Sequence, residues 1–203
     1  MSDDFNLDTL ELTALVGSRI CHDLISPIGA IGNGVELMGM SGDPASPELV
    51  LISDAVRNAN ARIRFFRVAF GAAARDQVMA RSEVVAILND MSQAARTTLR
   101  WEPLDDAPRP HVRMSFLAIQ ALENALPRGG QITVHNEGPN WSVTGSGDDL
   151  RTDGPLWDSL RSGELPEGIN ASQVHFALIP KALAAMERSL SFERTADTAT
   201  IRF

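Results

Sequence analysis

The chain has 203 residues, of which 44% are apolar and 22% are charged, a composition typical of a folded protein with one or two domains. Its net charge of −8, with a single lysine and no tyrosine, argues against a nucleic-acid binder, which needs a basic face and stacking aromatic side chains. No apolar run is long enough to cross a membrane, and the single cysteine excludes an intrachain disulfide and a multi-cysteine zinc site. We therefore expect a cytoplasmic protein that contacts neither nucleic acid nor membrane.

The first third of the chain predicts two long helices. Apolar residues recur at spacings of three and four from about residue 6 to residue 40, which indicates one helix. Residues 41–45 form a tight connection, and Ser46 and Pro47 give the start signal of a second helix, expected to run to about Ala74. The second helix has a heptad-like apolar stripe: Leu49, Ile52, Val56, Ala59, Ile63, Phe66 and Phe70. The short connection makes the two helices antiparallel.

This helical hairpin has an apolar stripe on each of its helices, and one hairpin alone cannot enclose both stripes. We therefore expect two copies of the chain to pair into a four-helix bundle, so that the protein is a homodimer. The alternative is that the C-terminal part of the same chain covers the stripe.

The remainder of the chain alternates between helix and strand patterns. Helices are expected at residues 82–96, 113–126, 155–161 and 172–187, and strands at residues 98–101, 131–135, 141–144, 189–194 and 199–203. Pro180 is expected to disturb the last helix. This order favours a layer of helices on a mixed sheet, so the expected fold class is α+β. We divide the chain into a hairpin domain at residues 1–76 and an α/β-sandwich domain at residues 77–203.

The first helix carries the residues that point to chemistry. Five residues fall on the same side of it as His22: Ser18, Arg19, Ile25, Ser26 and Gly29. Ile20 and Leu24 fall on the other side, with the core, so His22 is expected to face solvent. An exposed histidine alone is usually just a solvated side chain. Pro27, however, removes a hydrogen bond one turn further on, and each glycine inside the helix costs about 1 kcal/mol, so helix stability alone does not explain this segment.

The seven residues His22–Ile28 read HDLISPI and fill every position of H-[ED]-L-x-[ST]-P-[LI]. They resemble the phosphoacceptor box of sensor histidine kinases, in which the histidine lies on the first helix of a dimerising hairpin. The C-terminal part resembles the ATP-binding (Bergerat) domain of those kinases in a degenerate form. Residues 120–125 resemble the N-box, N-L-L-x-N-A, with Asn124 at the position of a magnesium-binding asparagine and Gln120 in place of the other asparagine.

Two further boxes of the ATP-binding domain are altered. Val143 replaces the aspartate of the adenine-reading box D-x-G-x-G, and residues 169–174 contain no glycine where a glycine-rich run is expected. A valine cannot accept a hydrogen bond from adenine, and a segment without glycine cannot bring its backbone close to phosphates. The resemblance therefore implies the fold without the nucleotide, and Asn124 is expected to be vestigial.

An intact phosphoacceptor box on a hairpin followed by a degenerate ATP-binding domain resembles histidine phosphotransferases of the ChpT type, which are dimeric relay proteins of alphaproteobacteria. The resemblance implies that His22 accepts a phosphoryl group from a receiver-domain aspartate of a hybrid kinase, CckA-like. It then passes the group to the receivers of response regulators, CtrA- and CpdR-like. The residues on the His22 side of the first helix are expected to support His22 or contact the receiver: Ser18, Arg19, Ile25, Ser26 and Gly29. Asp23 is expected to accept a hydrogen bond from the other ring nitrogen of His22. The chain is expected to hold no cofactor or metal of its own, and Mg²⁺ is expected to come with the receiver.

Arginines of the second helix are also candidates. Folding the hairpin about residue 43 places His22 level with residues 62–66, so Arg62 and Arg64 would contact the phosphoryl group or acidic groups of the receiver. The simpler alternative for these arginines is a salt bridge to an acid of the first helix, or a solvated face.

Two other functions remain open at this point. One is an authentic ATP-dependent histidine kinase with degenerate boxes, and the other is a non-catalytic dimeric scaffold that binds receivers without exchanging phosphate. A monomeric phosphotransfer bundle is disfavoured, because such bundles carry H-x-x-K-G, whereas Asp-Leu-Ile-Ser follows His22.

Overall fold

The computed structural model describes residues 9–41 and 47–203. It opens with two packed helices, α1 at Thr9–Ser41 and α2 at Pro47–Ala69. The hairpin predicted from the sequence is therefore present. The expected helix start at residues 6–8, and the expected connection with its N-cap Ser46, lie outside the described residues.

Helix α2 ends at Ala69, before the expected end at Ala74. Two arginines of the C-terminal part bind carbonyl oxygens at this end. The Nε atom of Arg113 donates to the carbonyl of Ala69 at 3.2 Å, and the Nε atom of Arg109 donates to the carbonyl of Ala72 at 2.9 Å. Carbonyl groups at a helix end lack partners within the helix, so these contacts stabilise the termination.

The C-terminal part contains four helices and two sheets among the described residues. Its helices are α3 at Arg81–Ala94, α4 at Arg109–Ala125, α5 at Pro155–Ser162 and α6 at Val174–Met186, the last preceded by a single 3-10 turn at Ala171–Gln173. Its strands are β1 at Val78–Met79, β2 at Thr97–Trp101, β3 at Ala107–Pro108, β4 at Gly130–Glu137, β5 at Asn140–Ser146, β6 at Ser191–Arg194 and β7 at Thr198–Arg202. A five-stranded sheet has the order β2-β4-β5-β7-β6, in which only β2 and β4 are parallel.

The α+β fold class is confirmed, and each helix and strand predicted for residues 77–203 is present with shifted bounds. Helix α4 begins at Arg109 because Pro110 lies in its first turn, where the missing N–H needs no partner. The short antiparallel pair of β1 with β3 was not predicted. Pro180 lies inside α6 without ending it. No helix in the described part of the chain has the length and apolarity needed to cross a membrane.

The apolar stripe on α2 divides between two environments. Phe66 is only 5% exposed, because it packs in the core that α2 shares with the C-terminal part. Val56 and Ile63, in contrast, remain 40% and 49% exposed. The expectation that a second copy covers the whole stripe from Leu49 to Phe70 is therefore wrong, because the C-terminal part of the same chain covers its Phe66 end, as in the alternative.

The contact between α2 and α4 gives the first testable prediction. Phe65 is buried and stacks on Phe116, with ring centroids 4.6 Å apart. We expect Phe65→Ala to lower the free energy of unfolding by about 3 to 5 kcal/mol, because it removes buried apolar contacts and leaves a cavity. Urea unfolding measures the change, and Leu104→Ala is the control, because Leu104 is 83% exposed. Equal losses in the two variants would contradict the assigned packing.

Candidate functional site

His22 projects from α1 into solvent with its side chain 79% exposed. Its Nδ1 atom lies 3.1 Å from Oδ1 of Asp23. An ionised carboxylate only accepts hydrogen bonds, so this contact places the ring proton on Nδ1. The lone pair of the neutral imidazole is then on Nε2, the nitrogen that a reaction partner can approach.

Asp23 lies on the inner side of α1, with its side chain only 9% exposed. Its Oδ2 atom is 2.9 Å from Nη2 of Arg19, one turn earlier on α1, and 3.6 Å from Nη1 of Arg62 on α2. The Nε atom of Arg62 donates to Oδ1 of Asn58 at 2.8 Å, which fixes the arginine. One oxygen of Asp23 is therefore held by two cations, and the other faces His22.

The surface around His22 is open. Ser18, Ile25, Ser26 and Gly29 are exposed, and Ile25 is 68% exposed. A Cβ atom added at Gly29 would meet no described atom within 4 Å beyond its chain neighbours and the adjacent backbone of α1. The structure therefore brings these residues beside His22, and their contact with a partner stays a prediction.

Arg19 and Arg64 do not lie where the sequence placed them. Arg19 turns away from the exposed side of His22, because it binds the buried Asp23 and approaches the carbonyl of Ser172 at 3.5 Å. Arg64 points to α3, where its Nη1 atom is 2.9 Å from Oδ2 of Asp90. Arg62 forms the salt bridge to an acid of the first helix that was the alternative for this residue.

Asn124 ties α4 to the start of α6. Its Nδ2 atom donates to the carbonyl of Ser172 at 3.3 Å and lies 3.3 Å from Nε2 of His175. Burial, and then the positive charge of Arg19, lower the pKa of His175 to about 3, so its ring is neutral near pH 7 and accepts at Nε2. The amide at the position of a magnesium-binding asparagine therefore binds this chain's own residues.

The other positions that resemble nucleotide boxes in sequence also serve packing. Val143 is fully buried in the core, and a Cβ atom at Gly147 would lie 2.8 Å from Cδ2 of Leu126. The cavity beside Asn124, about 650 Å³ in volume, is lined by the acids Asp153 and Glu167 and by no described lysine or arginine. This lining does not suit a triphosphate. Within residues 9–41 and 47–203, no group of three histidine, cysteine or acidic side chains is arranged to hold a metal ion.

A polar cavity of about 80 Å³ lies behind Asp23 and was not predicted from the sequence. Arg19, Asp23 and Arg62 line it from the hairpin, and Gln120 and Glu123 line it from α4. Burial raises the pKa of Glu123 to about 7; the charges of Arg19 and Arg62 oppose this rise, and that of Asp23 adds to it. Glu123 was missed because it occupies the variable position of the N-box and its charged partners lie on other elements.

The raised pKa of Glu123 predicts a pH-dependent stability. The unfolded chain releases this proton near pH 4.5, the ordinary value, whereas the folded chain keeps it up to about pH 7. The folded state therefore binds more protons between these values, and its contribution to stability falls as the pH rises through them. We expect Glu123→Gln to be more stable than the parent chain by about 1 to 3 kcal/mol above pH 7, and the gain to disappear below pH 4.5. Urea unfolding at several pH values measures this difference, and a gain that does not change with pH would contradict it.

Comparison with known proteins agrees with this architecture. Residues 81–198 match the family model of the histidine phosphotransferase C-terminal domain. The protein phosphotransferase ChpT of Brucella abortus (strain 2308) is 34% identical over 199 residues, which covers 94% of each chain. The 1.7 Å structure of a bacterial phosphotransferase matches with a TM-score of 0.81 and 31% identity over 98% of each chain. Over nearly its whole length, the chain thus belongs to the histidine phosphotransferase family.

Proposed function

We propose that this chain relays phosphoryl groups through His22 in a multistep phosphorelay. It accepts the group from a receiver-domain aspartate of a hybrid histidine kinase and passes it to the receiver domains of response regulators. The observation that carries the proposal is the exposed imidazole of His22, whose Nδ1 atom is held by the buried carboxylate of Asp23. The relative named protein phosphotransferase ChpT supports the same activity.

The chemistry follows from this geometry. The Nε2 atom of His22 attacks the phosphorus of the aspartyl phosphate, so that a P–N bond forms while the P–O bond breaks. The receiver carboxylate leaves with the electron pair. The ring keeps its proton on Nδ1 and becomes cationic, and Asp23 stabilises this charge through the hydrogen bond. Transfer to the next receiver is the same step in reverse.

The remaining contribution of the chain is positioning, and no nucleotide is used. Mg²⁺ comes with the acidic pocket of the receiver. The absence of an adenine-reading acid at Val143 and the acidic cavity beside Asn124 support a relay rather than an ATP-dependent kinase. Labelling of the chain by ATP alone would instead favour the kinase.

The phosphoacceptor is tested with a phosphorylated receiver domain of a hybrid kinase as donor. We expect His22→Ala to abolish transfer to this chain and from it, while changing stability by no more than about 0.5 kcal/mol, because the side chain is exposed. The measurement follows acid-labile, base-stable label on the chain. Label that persists on the variant, or that lies on His111, His135 or His175, would overturn the assignment. Receiver binding without any label on the parent chain would favour the scaffold.

Asp23 provides a graded comparison in the same assay. We expect Asp23→Ala to slow transfer by about 10- to 1000-fold, because the ring loses its orienting acceptor but keeps its nucleophile. This variant should also lose stability, since Arg19 and Arg62 lose the carboxylate that they share.

The proposed relay protein acts as a homodimer. Leu49, Val56 and Ile63 recur at every seventh residue of α2 and are 39%, 40% and 49% exposed. Ile28 and Val35 have the same spacing on α1 and are 59% and 57% exposed. Such a repeated apolar stripe is typical of helices that pack against a second copy, and it supports a four-helix bundle.

The dimer is tested by placing charges on this stripe. We expect the double variant Val56→Glu and Ile63→Glu to be monomeric by light scattering, because buried charges without partners are costly. Leu104→Glu is the control, since Leu104 is 83% exposed and lies outside α1 and α2. A double variant that stays dimeric would show that the interface lies elsewhere.

A further inference from the structure

Helix α4, whose residues 120–125 resemble the N-box of the kinases, lines the cavity behind Asp23. The cavity behind Asp23 is closed on the C-terminal side by Gln120 and Glu123 of α4. The carbonyl of Ser172, next to α6, lies 3.5 Å from Nη1 of Arg19 and 3.3 Å from Nδ2 of Asn124. The two parts of the chain therefore meet directly behind the segment of α1 that carries His22.

We propose that Glu123 is a positioning residue for phosphotransfer, acting through Arg19 and Arg62 on Asp23 and thereby on the ring of His22. This inference rests on the proposed function, because it assigns a role to Glu123 in the reaction of His22. Glu123 lies behind Asp23 and does not contact the reacting atoms.

The charges around the cavity explain how Glu123 strengthens the hydrogen bond between Asp23 and His22. Two cations, Arg19 and Arg62, pair with Asp23 and line the cavity together with Glu123. Asp90 of α3 lines it as a third acid. When Glu123 is ionised, it shares the attraction of the two arginines, and Asp23 keeps more of its negative charge for the Nδ1 proton of His22. When Glu123 carries no charge, both arginines act on Asp23 alone, and its hydrogen bond to the ring weakens.

The other charged and polar groups near the cavity do not alter the interaction of Glu123 and Asp23 with the two arginines. Asp90 on α3 is bound to Arg64 at 2.9 Å. His175 on α6 is neutral near pH 7 and is bound to Asn124. Gln120 is 3% exposed, and neither polar atom of its side chain has a partner among the described residues.

A structural role alone does not account for this acid. Burial disfavours its charged form, so the fold would gain from a neutral side chain of the same shape above pH 7. Buried ionisable groups that are costly to the fold are concentrated at functional sites. The acid is thus better explained by its effect on Asp23 than by stability.

The test uses the full chain at pH 8, where Glu123 is mostly ionised, and phosphoramidate as a small phosphoryl donor that needs no receiver. We expect Glu123→Gln to slow phosphorylation of His22 by about 3- to 30-fold, because coupling through intermediate residues is modest. Glu123→Asp keeps the charge and should recover part of the rate. Glu102→Gln, an exposed acid paired with His135, is the matched control and should react like the parent chain.

A second measurement separates positioning from a general structural effect. Nitrogen-15 NMR of the imidazole rings, with the His22 signals assigned by their loss in His22→Ala, should show the proton on Nδ1 in the parent chain. In Glu123→Gln we expect a shift of population towards a proton on Nε2. An unchanged rate and an unchanged tautomer in this variant would overturn the inference, and so would its failure to fold, since that would make Glu123 a stability residue. If His22→Ala itself reacts like the parent chain, the proposed function fails instead.

Discussion

The buried carboxylate of Asp23 is the constraint on which the rest of the site depends. Its two oxygens face in different directions, one to the ring of His22 and the other to Arg19 and Arg62. Because the carboxylate is 9% exposed, water competes little for it, and the geometry of the ring is set by protein groups. The exposed imidazole of His22 therefore has a support of protein groups directly beneath it, which orients the ring as the proposed phosphoryl transfer requires.

The C-terminal part supplies this support through α4, whose residues 120–125 resemble the N-box of sensor kinases in sequence. Helix α4 places Glu123 behind Asp23, and Asn124 fixes the segment that contacts Arg19. Two residues of the N-box-like segment, Glu123 and Asn124, thus lie where the C-terminal part meets the hairpin. The domain boundary at residue 76 remains a prediction, although α2 ends and β1 begins on either side of it.

The sequence predicted what depends on a single element and missed what depends on several. The exposure of His22 follows from the helical period. The order of helices and strands follows from the local helix and strand patterns of each segment. Arg64 was misplaced because its partner Asp90 comes near only in the fold. Arg19 was misplaced although Asp23 lies one turn away on the same helix, because this long side chain turns inward to the carboxylate. The position of Glu123 could not be predicted, since three elements must come together to create its surroundings.

The shared core at the base of the hairpin limits how the molecule can be divided. Phe65, Phe66, Val68 and Ala69 of α2 are all buried within the core that includes α4 and the sheet. An isolated hairpin would present these side chains to water, so its helices would lose much of the apolar burial that holds them. The hairpin that carries His22 is therefore not a detachable module. Exchanging hairpins between relatives to change partner choice would require the facing surface of α4 to be exchanged as well.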